Sequence, residues 1–220
     1  MKLYTYWRST AAWRVRIALN LKGLEGEQVP VHLVRDGGEQ HREDYRALNP
    51  QGLVPLLADG DLRVSQSLAI IEYLDEQYPE PALLPDAAGD RARVRSLAQL
   101  IGCEIHPLNN LRVLQHLESE FDISGDRRRL GWYHHWLHQG FQALERRLSE
   151  EAETGRFCHG DSPTLADLCL VPQLYNARRF ECPLDDYPTL TAIDDACREL
   201  EAFRAAEPER QPDAPESAGQ

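Results

Sequence analysis

Residues 49–78 read NPQGLVPLLADGDLRVSQSLAIIEYLDEQY. Asp59-Gly60 is a turn dipeptide with an apolar stretch on each side, 54–58 and 62–65, which predicts two short strands joined by a tight turn. Pro55 stands where the first of them opens, just after Asn49-Pro50-Gln51-Gly52. A proline there is either an ordinary trans residue at a strand start or a cis peptide. A cis bond would expose the Val54 N–H and C=O, and an extended peptide would then pair with them as an added strand. Beyond the hairpin, Ile70, Ile71, Leu74 and Tyr78 recur at helical spacing. Gln66-Ser67 heads that helix. Ser67 is an N-cap candidate, and the N–H groups beside it suit a carboxylate, so cap and anion site both stay open.

Working back towards the N-terminus, residues 2–6 (KLYTY) alternate and read as a strand. Ala11, Val15, Ala18 and Leu19 predict a helix over about 12–22, with Gly23 at its C-cap. Residues 28–33 read as a second strand, and Pro30 places it at a sheet edge. A polar stretch with Gly37 and Gly38 leads to a short helix near 41–48. The order over about 80 residues is βαβ, α, ββα, which is thioredoxin-like. The loop Arg8-Ser9-Thr10-Ala11-Ala12 leaves the first strand and enters the first helix. A hydroxyl there can cap the helix, or it can donate to an anion whose charge the helix dipole favours. A thiolate held there would have its pKa lowered.

Working forward, PEPALLPDAAGD (residues 79–90) reads as a linker, and after it strand signals stop. Apolar stripes at Val94–Ile105 and Leu137–Leu148, a capping-box-like Thr164-Leu165-Ala166-Asp167, and a last stripe at Leu190–Leu200 predict helices. Pro107 is expected to bend the first of these. Trp132, Tyr133 and Trp136 fit helix packing. The predicted layout is an α/β N-terminal domain (1–80), a linker (81–90), an all-α C-terminal domain (91–206) and a disordered tail (207–220) rich in Pro, Glu, Asp and Ala.

The chain has 220 residues and a formal net charge of −12, which argues against nucleic acid or an anionic membrane as partner. No signal-peptide pattern opens it and no apolar run approaches ~18 residues, so a cytosolic protein is expected. The five cysteines (103, 158, 169, 182 and 197) form no C-x-x-C pair. They read as small, partly buried apolar residues, not as disulfides or metal ligands, and any thiol chemistry must come from a bound cofactor.

The segments YWRSTAAWRVRIAL, ALNPQGLVPLL, QSLAIIEYL, IHPLNNLRVL and TLADLCLVPQLYNARRF, with the closing RQPD, resemble the zeta-class glutathione transferases. The resemblance runs from residue 1 to about 213. The QS and VP elements are common to many glutathione transferases, whereas RVRIAL after an Arg-Ser loop is specific to the zeta class. It implies the glutathione transferase fold, a homodimer, and glutathione as cofactor. It also implies cis–trans isomerisation of a dicarboxylic diketo acid, maleylacetoacetate to fumarylacetoacetate, by reversible thiolate addition. Ser9 and Thr10 would hold the thiolate, with Ala11 where the family often has a cysteine. Val54, beside Pro55, would pair with the cysteinyl backbone, and Gln66 and Ser67 would bind the γ-glutamyl end. Gln40 and His106 match further glutathione contacts, with Asn110, Leu111 and Arg112 beside them on a long helix. Arg8 and Arg179 match the groups that bind the substrate carboxylates. Competing readings are the same chemistry on maleylpyruvate, which Leu111 disfavours, a conjugating transferase, and a noncatalytic binding module, which the intact Ser9-Thr10, Pro55 and Gln66-Ser67 disfavour.

Overall fold

The computed structural model describes residues 1–216. They divide into two compact units: residues 1–83 with the C-terminal residues from Arg198 onward, and Leu84–Cys197.

The first unit is built on a four-stranded sheet of β1 (Lys2–Thr5), β2 (Glu27–Pro30), β3 (Leu56–Asp59) and β4 (Leu62–Ser65), in the order β2-β1-β3-β4. The pair β1–β2 is parallel and needs a crossover, which α1 (Thr10–Leu21) supplies. The pairs β1–β3 and β3–β4 are antiparallel, and the latter needs only the turn at Asp59-Gly60, where Gly60 has φ +56°. Pro30 does sit on an edge strand, and the thioredoxin-like order is met. Leu3 lies opposite Leu57 in the sheet register, and both are buried. α2 (Glu43–Leu48) precedes β3, and α3 (Ser67–Gln77) buries Ile70, Ile71 and Leu74. The Lys22 ammonium, at the end of α1, reaches Asp75 Oδ1 (2.8 Å), Tyr78 O (2.7 Å) and Pro81 O (2.8 Å). A buried charge so fully paired fixes α1 against the end of α3.

The tail is the first correction. Its described part is ordered: Pro208–Arg210 forms a 3-10 turn, Gln211 is buried, and Asp213 Oδ2 accepts the Trp7 N–H at 2.8 Å. The chain just ahead of this tail is anchored from α1. The buried Arg16 guanidinium donates to Thr5 Oγ1 (3.1 Å), Tyr6 O (3.3 Å), Trp7 O (2.9 Å) and Ala206 O (3.3 and 3.2 Å). Burial pulls its pKa down to about 9, while the nearby Asp213 charge opposes that fall. These bonds anchor the chain at Ala206, just ahead of the tail, and the tail then supplies Asp213 as the acceptor for the Trp7 N–H, a reason to order that its composition does not express. Ala214 packs on the cluster of Tyr6, Trp7, Val31, Tyr45 and Val54. The last four residues lie outside the described residues. The short helix Glu201–Arg204 also belongs to this unit, so the C-terminal end of the predicted all-α domain counts with the sheet.

The second unit is helical: α4 (Ala88–Gln99), α5 (Leu111–Phe121), α6 (Gly125–Arg128), α7 (His135–Glu150), α8 (Leu165–Arg179) and α9 (Pro188–Arg198), the last ending one residue beyond it. α4 begins inside the stretch read as linker. π-helical turns at Leu100–Ile105 and Arg129–His134 adjoin α4 and α7. Gly140 lets the first of these come close, since a Cβ there would run into the Ile105 side chain. The long helix expected through His106 to Arg112 is two helices. Pro107 interrupts it, and Asn110 restarts it as an N-cap whose side chain accepts the Arg112 N–H at 3.2 Å. α8 carries the full capping box of Thr164 and Asp167. Among the described residues no helix is long and apolar enough to cross a membrane.

Candidate functional site

The sheet register brings the predicted loops of the first unit together. Tyr4 pairs with Leu56 and Leu56 with Ser65, so the end of β1, the start of β3 and the end of β4 lie at one end of the sheet. Parallel β2 ends there too, with the Val31 N–H on Thr5 O at 2.7 Å. Residues 6–9, 53–55 and 66–67 therefore converge, although 57 residues separate Ser9 from Gln66. The Val54–Pro55 peptide is cis. The Leu53 carbonyl just before it accepts from Tyr45 Oη (2.6 Å) and Asn49 Nδ2 (2.8 Å), which holds the loop in place.

Ser9 is the N-cap of α1, and its Oγ accepts the Ala12 N–H at 3.2 Å. A hydroxyl has one proton and two lone pairs, so capping spends a lone pair and leaves the proton to donate to an anion. Capping and thiolate binding, set against each other in the sequence, are compatible. Thr10 opens α1 and is buried. Arg8 is half-buried, its guanidinium 5.1 Å from the Trp7 ring centroid.

At the head of α3 the cap position falls to Gln66, not Ser67. Gln66 has φ +74° and no side-chain cap bond, and its Nε2 donates to Gln51 Oε1 at 2.9 Å. Ser67 is the first helical residue, and its Oγ accepts from Arg14 Nη1 at 3.3 Å. Arg14 is 2% exposed, and its Nε and Nη2 have no hydrogen-bond partner. A buried cation behind a helix N-terminus makes this corner strongly attractive to a carboxylate. The sequence reading missed Arg14; its one signal, shared with Arg16, was a charge within the mostly apolar run of α1.

Gln40 is also buried. Its Nε2 donates to Leu33 O at 3.2 Å, and its Oε1 has no partner. Gly38, at φ +101°, makes room for it, since a Cβ there would lie 2.5 Å from Gln40 Nε2. The orphaned acceptor on Gln40 and the orphaned donors on Arg14 fit a peptide ligand that has amide N–H groups and a free carboxylate.

In the second unit, His106 follows the π-helical turn and is half-buried, with its Nε2 3.5 Å from Asn110 Nδ2. Two ties hold this loop: Trp132 Nε1 donates to Leu108 O (2.8 Å) and Asn109 Nδ2 to Tyr133 O (3.2 Å). Leu111 and Arg112 are exposed in the first turn of α5. Arg179, the last residue of α8, is exposed and lies 4.9 Å from the Phe180 ring centroid. Its neighbour Arg178 is spent on Asp194 at 2.6 Å. None of the five cysteines forms a disulfide. Four are buried, but Cys103 is exposed, against the expectation of partial burial for all five.

Residues 3–82 match the family described as glutathione S-transferase, N-terminal domain. The chain is 52% identical over 212 residues to a probable maleylacetoacetate isomerase of Vibrio cholerae serotype O1, covering 96% of this chain and 97% of that one. It is similar to the holo structure of a maleyl pyruvate isomerase described as a bacterial zeta-class glutathione S-transferase, with TM-score 0.94, 49% identity, and coverage of 98% and 100%. It is also similar to a maleylacetoacetate isomerase from Methylobacterium extorquens AM1 with bound malonate and glutathione, with TM-score 0.92, 45% identity, and coverage of 98% and 100%.

Proposed function

The chain belongs to the zeta-class glutathione transferases, and from that premise we propose that it is a glutathione-dependent cis–trans isomerase. Its substrate in this reading is maleylacetoacetate, converted to fumarylacetoacetate in tyrosine and phenylalanine breakdown. The observation that carries the proposal is the Ser9 hydroxyl, bonded as an acceptor to the Ala12 N–H and left with its proton to donate at a helix N-terminus. Glutathione, when bound, supplies a thiolate that adds reversibly to the substrate double bond and so allows rotation about it. Ser9 donates to that sulfur, with Thr10 beside it, and the N-terminus of α1 favours the charge. Val54, beside Pro55, pairs with the tripeptide backbone. Gln66 and Ser67, backed by Arg14, take the γ-glutamyl carboxylate. Gln40, His106, Asn110, Leu111 and Arg112 are the further proposed glutathione contacts. Arg8 holds one substrate carboxylate and offsets the negative charge that develops as the thiolate adds, and we assign the other carboxylate to Arg179. A cytosolic homodimer completes the proposal.

Maleylpyruvate is the second reading, because a maleyl pyruvate isomerase is 49% identical across nearly the whole chain. A spectrophotometric assay of both substrates with and without glutathione decides between them. We expect turnover only with glutathione and a higher kcat/KM on maleylacetoacetate. Turnover without glutathione would remove the mechanism, and a preference for maleylpyruvate would change the substrate while keeping it.

A further inference from the structure

The geometry points to a metal site within the second unit, formed by His134, His138 and Cys182, that takes one zinc-type ion. None of the three residues has a part in the proposed isomerisation. His134 ends the π-helical turn Arg129–His134, His138 lies four residues on in α7, and Cys182 follows α8. The chain thus brings together a His pair at i, i+4 spacing and a cysteine 44 residues away. Their three candidate ligand atoms lie within 4.8 Å of one another, and Cys182 Sγ is 3.7 Å from His138 Nε2. A tetrahedral zinc, with bonds of about 2.3 Å to sulfur and 2.0–2.1 Å to nitrogen, sets neighbouring donors roughly 3.3–3.6 Å apart. One edge is therefore near its final length, and the others, no longer than 4.8 Å, lie within about 1.5 Å of theirs.

The outer groups are those a metal-binding histidine needs. His138 Nδ1 is 2.6 Å from Tyr187 Oη, which turns Nε2 towards the sulfur. His134 Nε2 is 2.7 Å from the Phe180 carbonyl, which can only accept, so the ring donates there and keeps its lone pair on Nδ1. Such partners fix ring orientation and tautomer, and their loss commonly costs about 10–100-fold in metal affinity. One thiolate and two imidazoles favour zinc or copper(I) over magnesium or calcium. His134 and Cys182 are buried, while the half-exposed His138 gives the ion a way in. On binding, the Cys182 thiol gives up its proton to solvent, the sulfur–metal bond forms, and no electron is transferred. The ion would tie α7 to the segment that follows α8.

The test is a cobalt(II) titration of the full-length protein, free of glutathione and of competing thiols. We expect a thiolate-to-cobalt charge-transfer band that saturates at one equivalent and disappears when zinc is added. Zinc should also raise the thermal unfolding midpoint. Cys182→Ser should abolish the band, Tyr187→Phe should weaken binding at least tenfold, and Cys103→Ser should leave it intact. His138→Gln, at a half-exposed position, keeps the test decisive if Cys182→Ser fails to fold, and it should weaken binding at least tenfold. Absence of the band, its survival in Cys182→Ser, or unchanged affinity in His138→Gln overturns the site.

Discussion

The Ser9 hydroxyl caps α1 with a lone pair and offers its proton to the thiolate, so one substitution should be visible in two measurements. Ser9→Ala is expected to cost about 1 kcal/mol of stability through the lost cap. It should also lower kcat on the order of 100-fold, the scale seen when one aimed donor is removed from a charged intermediate. Thr10→Ala should cost less in turnover. Equal and negligible losses from both would place the thiolate elsewhere. Arg179 is exposed at the C-terminal end of α8, so Arg179→Ala should raise the substrate KM several-fold with little change in fold. An unchanged KM would remove its carboxylate role. Ser9 was legible in the sequence because a hydroxyl between a strand and a helix is a local signal. Arg14 was not, because its meaning depends on Ser67, 53 residues away, and a charge in the apolar run of α1 marks it no more than it marks Arg16.

The elements were legible to the extent that their signals are local. The hairpin at Asp59-Gly60 and the capping box at Thr164–Asp167 each fit within a few residues, and both form as read. The run from Val94 to Arg112 failed for a physical reason. A π-helical turn at Leu100–Ile105 shifts the phase of the apolar stripe, and Pro107 then ends the helix, so periodicity alone cannot separate one helix from two. At the start of α8, Asp167 is more than an ordinary cap. It is fully buried and accepts from Cys158 N (2.8 Å), Thr164 N (2.7 Å) and Thr164 Oγ1 (2.9 Å). Its carboxylate therefore ties the preceding loop to the helix. Asp167→Ala leaves those donors buried without a partner, and a loss of about 3 kcal/mol in urea unfolding is expected. A loss under about 1 kcal/mol would mean that water or a shifted loop replaces the carboxylate.

Across the whole chain, the two ends meet in one unit. The matched family segment stops at residue 82, yet the loop that carries Arg8 and Ser9 is held by residues beyond 200. Arg16 grips Tyr6 O and Trp7 O on one side and Ala206 O on the other, while Asp213 takes the Trp7 N–H. Composition could not show this, because polar residues order when a buried donor needs them. The consequence can be measured by truncating the chain after Glu207. That removes Asp213 and Ala214, leaves the Trp7 N–H without its acceptor, and uncovers part of the Tyr6–Trp7 cluster. The lost acceptor alone is worth about 1–3 kcal/mol, which lowers the melting temperature by several degrees in a protein of this size. The isomerase kcat should fall at least tenfold, because a loop free to move by an ångström no longer aims Ser9. Asp213→Asn keeps the side-chain shape and one acceptor oxygen but loses the charge, so it should fall between the truncation and the intact chain in both measurements. Unchanged melting and turnover after truncation would show that these contacts hold nothing the reaction needs.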